Sequence, residues 1–120
     1  EGTRTVDLNA ITVVKRSGSL VPFRKERIAR AIELAFRATK GISETAPLPQ
    51  ELYTVVQSLT EQVAQAVALE AAKGACVTVE GIQDLVEVKL VKGGFFDVGR
   101  NYIIYRNDRG HFIWWRSGRH

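Results

Sequence analysis

The sequence predicts an α+β domain in which a small β-hairpin, or a three-stranded sheet, caps a four-helix bundle. Three observations carry that prediction. A β-branched run, a Ser-Gly turn and a short return run fill residues 11–23. Four later stretches place apolar residues three and four apart, the spacing of a one-sided helix. The connections between them are short and rich in Gly, Pro and polar residues, so the elements must pack on one another around one core.

Taken in order, Ile11–Arg16 reads as a strand, Arg16-Ser17-Gly18-Ser19 as turn chemistry, and Leu20–Phe23 as the returning strand. Pro22 cannot donate to a ladder, which keeps the second strand short or at an edge. Ile28, Ala31, Ile32, Ala35 and Phe36 predict a helix over residues 24–39 that stops at Gly41. A polar, Pro-containing loop follows. Leu52, Val55, Val56, Leu59, Val63, Ala66 and Val67 then predict a second helix over 50–73, stopped by Gly74.

Residues 75–79 form a short β-like run, the candidate third strand, in which Cys76 is expected to be buried as a small hydrophobe. Ile82, Leu85, Val86 and Leu90 predict a third helix ending at Gly93-Gly94. Val98, Tyr102 and Tyr105 suit a fourth, although Tyr102-Ile103-Ile104-Tyr105 has the composition of a strand, and so short a run leaves both readings open. No internal repeat or low-complexity tract is present. Residues 1–10 are expected to be an amino-terminal extension and 11–109 the folded domain. Residues 110–120, GHFIWWRSGRH, are expected to be an aromatic, basic tail that docks a partner or begins an adjoining domain.

A length of 120 residues fits one domain with a real core and no need of staples. The single cysteine excludes an internal disulfide and a cysteine-rich zinc site, which suits a reducing, cytoplasmic setting. No apolar run approaches the roughly 18 residues of a membrane span and no signal-peptide pattern opens the chain, so no membrane partner is expected. The chain does not begin with Met, which points to a piece of a longer protein.

Net charge is +4, but it is unevenly spread. Residues 1–40 carry nine Lys/Arg against four Asp/Glu, residues 41–90 two against seven, and residues 91–120 six against two. Two basic ends therefore flank an acidic middle. If the ends meet, they make one electropositive face for a polyanion, either nucleotide phosphate or nucleic acid. A merely solubilising surface charge fits the same numbers.

The sequence lacks most recognisable chemistry. Gly94 and Gly99 have P-loop spacing, but Arg100-Asn101 stands where Lys and Ser or Thr are required. No G-x-G-x-x-G follows a strand. His111 and His120 have no carboxylate at metal spacing, and no nucleophile–base arrangement is identifiable. No catalytic residue and no metal ligand is expected; this chain does not read as an enzyme by itself.

What remains is VVKRSGSLVPFRKERI, residues 13–28, where Lys15, Arg16, Arg24, Lys25 and Arg27 crowd a turn and a helix start. A helix start carries about half a positive charge, so each nearby cation costs about 0.3–1 kcal/mol unless an anion offsets it. Arg24 and Arg27 lie three apart on one helix face, and Ile28 beside them begins the apolar stripe. Guanidinium forks next to aliphatic surface suit a nucleotide, with donors for phosphate and a greasy slot for the base. An amphipathic helix with a basic polar face fits the same residues.

The blocks VVKRSG (13–18), VPF (21–23), RIARAIELAF (27–36), VTVEGIQDLVE (77–87) and YIIYRNDR (102–109), in this order, resemble the ATP-cone. This is the nucleotide-binding regulatory domain best known at the amino terminus of ribonucleotide reductase large subunits. The resemblance implies a domain that binds ATP or dATP, with Mg2+ accompanying the phosphates, and controls a reductase through its oligomeric state without doing chemistry. It further implies contacts from Val13 and Val14 to the base, from Lys15, Arg16, Arg27 and Arg109 to the phosphates, and packing of Ile28 on adenine. Arg24 lies where some members have a polar residue near the nucleotide. Thr78, Val79 and Gln83 fall where the family approaches base and sugar.

The sequence departs from the family at Ser17 in the turn, at Gly81 in place of an acidic residue, and in the aromatic tail. The partners implied are nucleotides, the catalytic domain of a parent reductase, and other reductase subunits or a second copy. Two further settings share the domain: a reductase small subunit, and a DNA-binding repressor of reductase genes. The repressor's four-cysteine zinc ribbon has no counterpart in residues 1–14, which argues against nucleic acid as the partner.

Overall fold

The computed structural model describes residues 11–108. Two strands, β1 (Thr12–Val14) and β2 (Leu20–Pro22), precede four helices: α1 (Lys25–Lys40), α2 (Gln50–Ala72), α3 (Val79–Lys92) and α4 (Phe96–Asp108). The expected extension 1–10 and tail 110–120 lie outside the described residues.

The strands pair antiparallel, with Thr12 opposite Pro22, Val13 opposite Val21 and Val14 opposite Leu20. The Lys15 N–H donates to the Ser19 carbonyl and the Gly18 N–H to the Lys15 carbonyl, both at 2.8 Å, which closes the turn. Gly18 sits at φ 93°, where a side chain is disfavoured. Pro22 ends the outer strand, where its missing N–H costs nothing.

The third strand expected over residues 75–79 is not formed. That run makes a single parallel bridge, Val14 with Thr78, and the Val14 N–H donates to the Val77 carbonyl at 2.9 Å. Thr78 is already the N-cap of α3, so the chain turns into a helix before a ladder can grow. The sheet is therefore a hairpin whose β1 edge is fastened to the start of α3. Alternation along residues 76–79 sends Val77 and Val79 inward and leaves Cys76 exposed, which corrects its expected burial.

α1 buries Ile28, Ala31, Ile32, Ala35 and Phe36, the five positions set by its spacing. Ile28, Ile32 and Phe36 each contribute about 1.5–3 kcal/mol relative to exposure. Gly41, at φ 71°, closes the helix by donating to the Arg37 carbonyl. α2 turns Val56, Leu59, Val63 and Val67 inward, while Leu52 and Val55 are half-buried. α3 begins at Val79, three residues before the first apolar position expected, because Thr78 Oγ1 accepts from the Gly81 N–H at 2.9 Å. The fourth element is helical, and it buries Val98 and Tyr102 but exposes Ile103 and Ile104.

α1 packs against α2 and α4, and α3 packs against α2 and α4, which closes a four-helix ring. Phe36 and Phe95 meet edge to face at 5.3 Å, and Asn101 Nδ2 donates to Thr39 Oγ1 at 2.8 Å, so α1 grips the start and middle of α4. Val13 and Phe23 join the same buried cluster, so hairpin and helices share one core.

The loop after α1 is held by a buried cation that apolar periodicity did not reveal. Arg37 is only 6% exposed. It donates to Glu33 Oε2 at 2.7 Å and to the carbonyls of Ser43 and Ala46 at 2.5 and 2.7 Å.

Candidate functional site

Three chain segments converge at the hairpin end of the ring. β1 supplies Val13 and Val14 and leads directly into Lys15 and Arg16. The start of α3 supplies Thr78, Val79 and Gln83, and the Val14–Thr78 bridge places it against β1. α1 begins three residues after β2 ends and carries Arg27 and Ile28 in its first turn. Its start is tied back to the hairpin by the Phe23 N–H, which donates to the Ile11 carbonyl at 2.9 Å.

Val13, Ile28 and Val79, the aliphatic residues expected near a base, are fully buried and belong to the apolar core cluster. Val14 is half-buried. Lys15 and Arg27 are half-buried at the rim, whereas Arg16 and Arg24 are exposed. Arg109 lies outside the described residues.

The five crowded cations divide into distinct groups. Lys25 forms an ion pair with Glu61 of α2, so the bundle already accounts for it. Arg16 is paired with Glu80 in the first turn of α3, its Nε at 3.0 Å and its Nη2 at 2.6 Å from Glu80 Oε2. Lys15 and Arg24 have no side-chain hydrogen bond or ion pair among the described residues. Arg24 is the N-cap of α1 but makes no side-chain capping bond, so the helix meets the site with uncapped N–H groups. Such a terminus favours an anion.

Gln83 lies one helical turn beyond Val79 and is only 2% exposed. Its Nε2 is buried with no hydrogen-bond partner among the described residues. An amide donor left in this state costs about 1–3 kcal/mol, so a folded protein keeps it only where something offsets that cost. Thr78, by contrast, already uses its hydroxyl to cap α3.

At Gly81 an added Cβ would stand 3.0 Å from Thr78 Oγ1, a tight contact with the cap. Sequence reasoning missed Glu80 as the partner of Arg16. A charged residue two positions after a Thr cap was the available signal, but only the fold shows what it faces.

A separate open cleft of about 240 Å3 lies between α2 and α3, lined by Val67, Glu70, Cys76, Thr78, Ile82 and Leu85 among others. It offers a carboxylate and a thiol but no cation, so it is unsuited to a polyphosphate, and only Thr78 belongs to both places. Among the described residues, no group of three or more His, Cys, Asp or Glu is placed to hold a metal ion.

The family model that matches this chain is the ATP cone domain, over residues 11–111. The chain is 48% identical over 98 residues to the alpha subunit of ribonucleoside-diphosphate reductase from Chlamydia trachomatis, covering 82% of this chain and 9% of that protein. It is 38% identical over 97 residues to the vitamin B12-dependent ribonucleoside-diphosphate reductase of Mycobacterium tuberculosis, covering 81% of this chain and 12% of that one. The anaerobic ribonucleoside-triphosphate reductase of Salmonella typhimurium is 33% identical over 97 residues, again covering 81% and 12%. The chain thus spans about a tenth of the length of these relatives, and the shared piece recurs in reductases of different descriptions.

Proposed function

The chain belongs to the ATP-cone family, and on that premise we propose that it is the allosteric ATP/dATP-binding domain of a cytoplasmic ribonucleoside-diphosphate reductase. In this reading it controls deoxyribonucleotide synthesis and carries no catalytic group. The observation that carries the proposal is Gln83, a buried amide donor near the start of α3 with no hydrogen-bond partner among the described residues. A purine offers ring nitrogens as acceptors of the kind this donor lacks, and Val13, Val14, Ile28 and Val79 supply aliphatic surface for its faces.

Lys15, Arg16 and Arg27 hold the phosphates, with Arg24 at the edge and Arg109 as a further phosphate contact. Thr78 acts by setting where α3 begins. Mg2+ accompanies the phosphates. ATP and dATP differ by one hydroxyl, so the regulatory difference between them resides in the assemblies each favours, with the parent catalytic domain or a second copy as partner.

Calorimetric titration of the 120-residue chain tests the proposal: both nucleotides bind saturably in the presence of Mg2+. Lys15→Gln removes one charge-assisted contact, worth about 1.5–3 kcal/mol, and weakens binding at least tenfold. Equal affinity in that variant removes Lys15 from the phosphate site.

A further inference from the structure

Resting on the nucleotide-binding reading, we propose that Glu80 is a regulatory latch: it occupies Arg16 in the empty domain and must yield it when a polyphosphate arrives. The pair spans 64 residues of sequence and joins the hairpin turn to the first turn of α3. Its placement follows the backbone. Val14 bridges Thr78 in parallel register, and two residues further along each segment Arg16 meets Glu80. The hairpin is therefore held to α3 at two successive points, one by main chain and one by charge.

Only the second point can answer to a ligand. Glu80 Oε2 accepts from both Nε and Nη2, the fork that a phosphate would otherwise engage. A phosphate beside Arg16 also brings negative charge next to the Glu80 carboxylate, so the two anions compete. With about half of each side chain or more in solvent, 67% for Arg16 and 50% for Glu80, the pair is weak enough to exchange on binding. Glu80 thereby lowers nucleotide affinity. Its release loosens the start of α3 from the hairpin, so that occupancy of the phosphate site is felt along α3.

The test is Glu80→Gln, which keeps shape and exposure but removes the charge. ATP affinity is measured by calorimetry in Mg2+ at two salt concentrations, with circular dichroism confirming the fold. The latch requires binding about two- to fivefold tighter than in the parent at low salt, a difference that shrinks at high salt. It also requires that Glu80→Gln add little once Arg16→Gln is present. Unchanged or weaker ATP binding by Glu80→Gln, with the parent binding normally, overturns the latch alone. Failure of both folded proteins to bind ATP overturns the nucleotide-binding reading and the latch together.

Discussion

Replacing Gln83 by Leu should make the empty domain more stable and a worse nucleotide binder, and these opposite signs make it a stringent test. Leu is close to Gln in size and replaces the amide with apolar groups, so the core is neither emptied nor overfilled. Gln83 is only 2% exposed and its Nε2 has no partner among the described residues, and an unsatisfied buried donor costs about 1–3 kcal/mol. Taking the lower bound, relief of about 1 kcal/mol raises the melting temperature of a domain this size by about 4–8 °C.

With ligand the advantage disappears. ATP at 100 times its Kd stabilises the parent by about 2.7 kcal/mol. Losing one neutral hydrogen bond, about 1 kcal/mol, raises Kd about fivefold, so the same ATP concentration then gives only about 1.8 kcal/mol. The assay is thermal unfolding by circular dichroism with and without ATP and Mg2+. A variant that melts below the parent without ligand, or one whose ATP-induced shift is undiminished, refutes the argument that this donor is held ready for a base.

Two further outcomes follow from buried and exposed side chains away from the site. Arg37→Ala strips two loop carbonyls and Glu33 of their partner, and should destabilise the domain by about 3 kcal/mol in chemical denaturation while ATP affinity of the folded fraction is unchanged. Cys76 is exposed, so one equivalent of a chromogenic disulfide reagent should react with the native chain without denaturant; a thiol that reacts only on unfolding contradicts its placement.

The helices were legible because their apolar residues repeat with the period of the helix. Ile28, Ala31, Ile32, Ala35 and Phe36 define α1 in the sequence and are buried in the fold. The fourth helix was ambiguous because Ile103 and Ile104, which look like strand by composition, are exposed positions that the core does not use. The third strand was overread: β-branched residues at 77–79 do point alternately inward, but the Thr78 cap outcompetes the ladder.

At the site, the basic cluster and Ile28 could be read directly, since charge and apolar stripe are both local signals. Gln83 and Arg37 could not be derived from periodicity, which counts apolar residues and is blind to buried polar ones; the family resemblance alone pointed to Gln83. The pairing of Arg16 with Glu80 was beyond reach for another reason, because only the tertiary fold brings residues 64 apart into contact.

The Val14–Thr78 bridge also sets a timetable for biosynthesis. Translation at about 5–20 residues per second delivers the hairpin roughly 3–13 s before the segment it must join. For that interval Val13 and Phe23, both destined for the interior, have no α3 to cover them, and no main-chain acceptor from residue 77 exists for Val14. The hairpin, made before the four helices, is thus among the last parts of this fold to be locked in place, and the nascent chain must keep that strand edge from foreign pairing until α3 emerges.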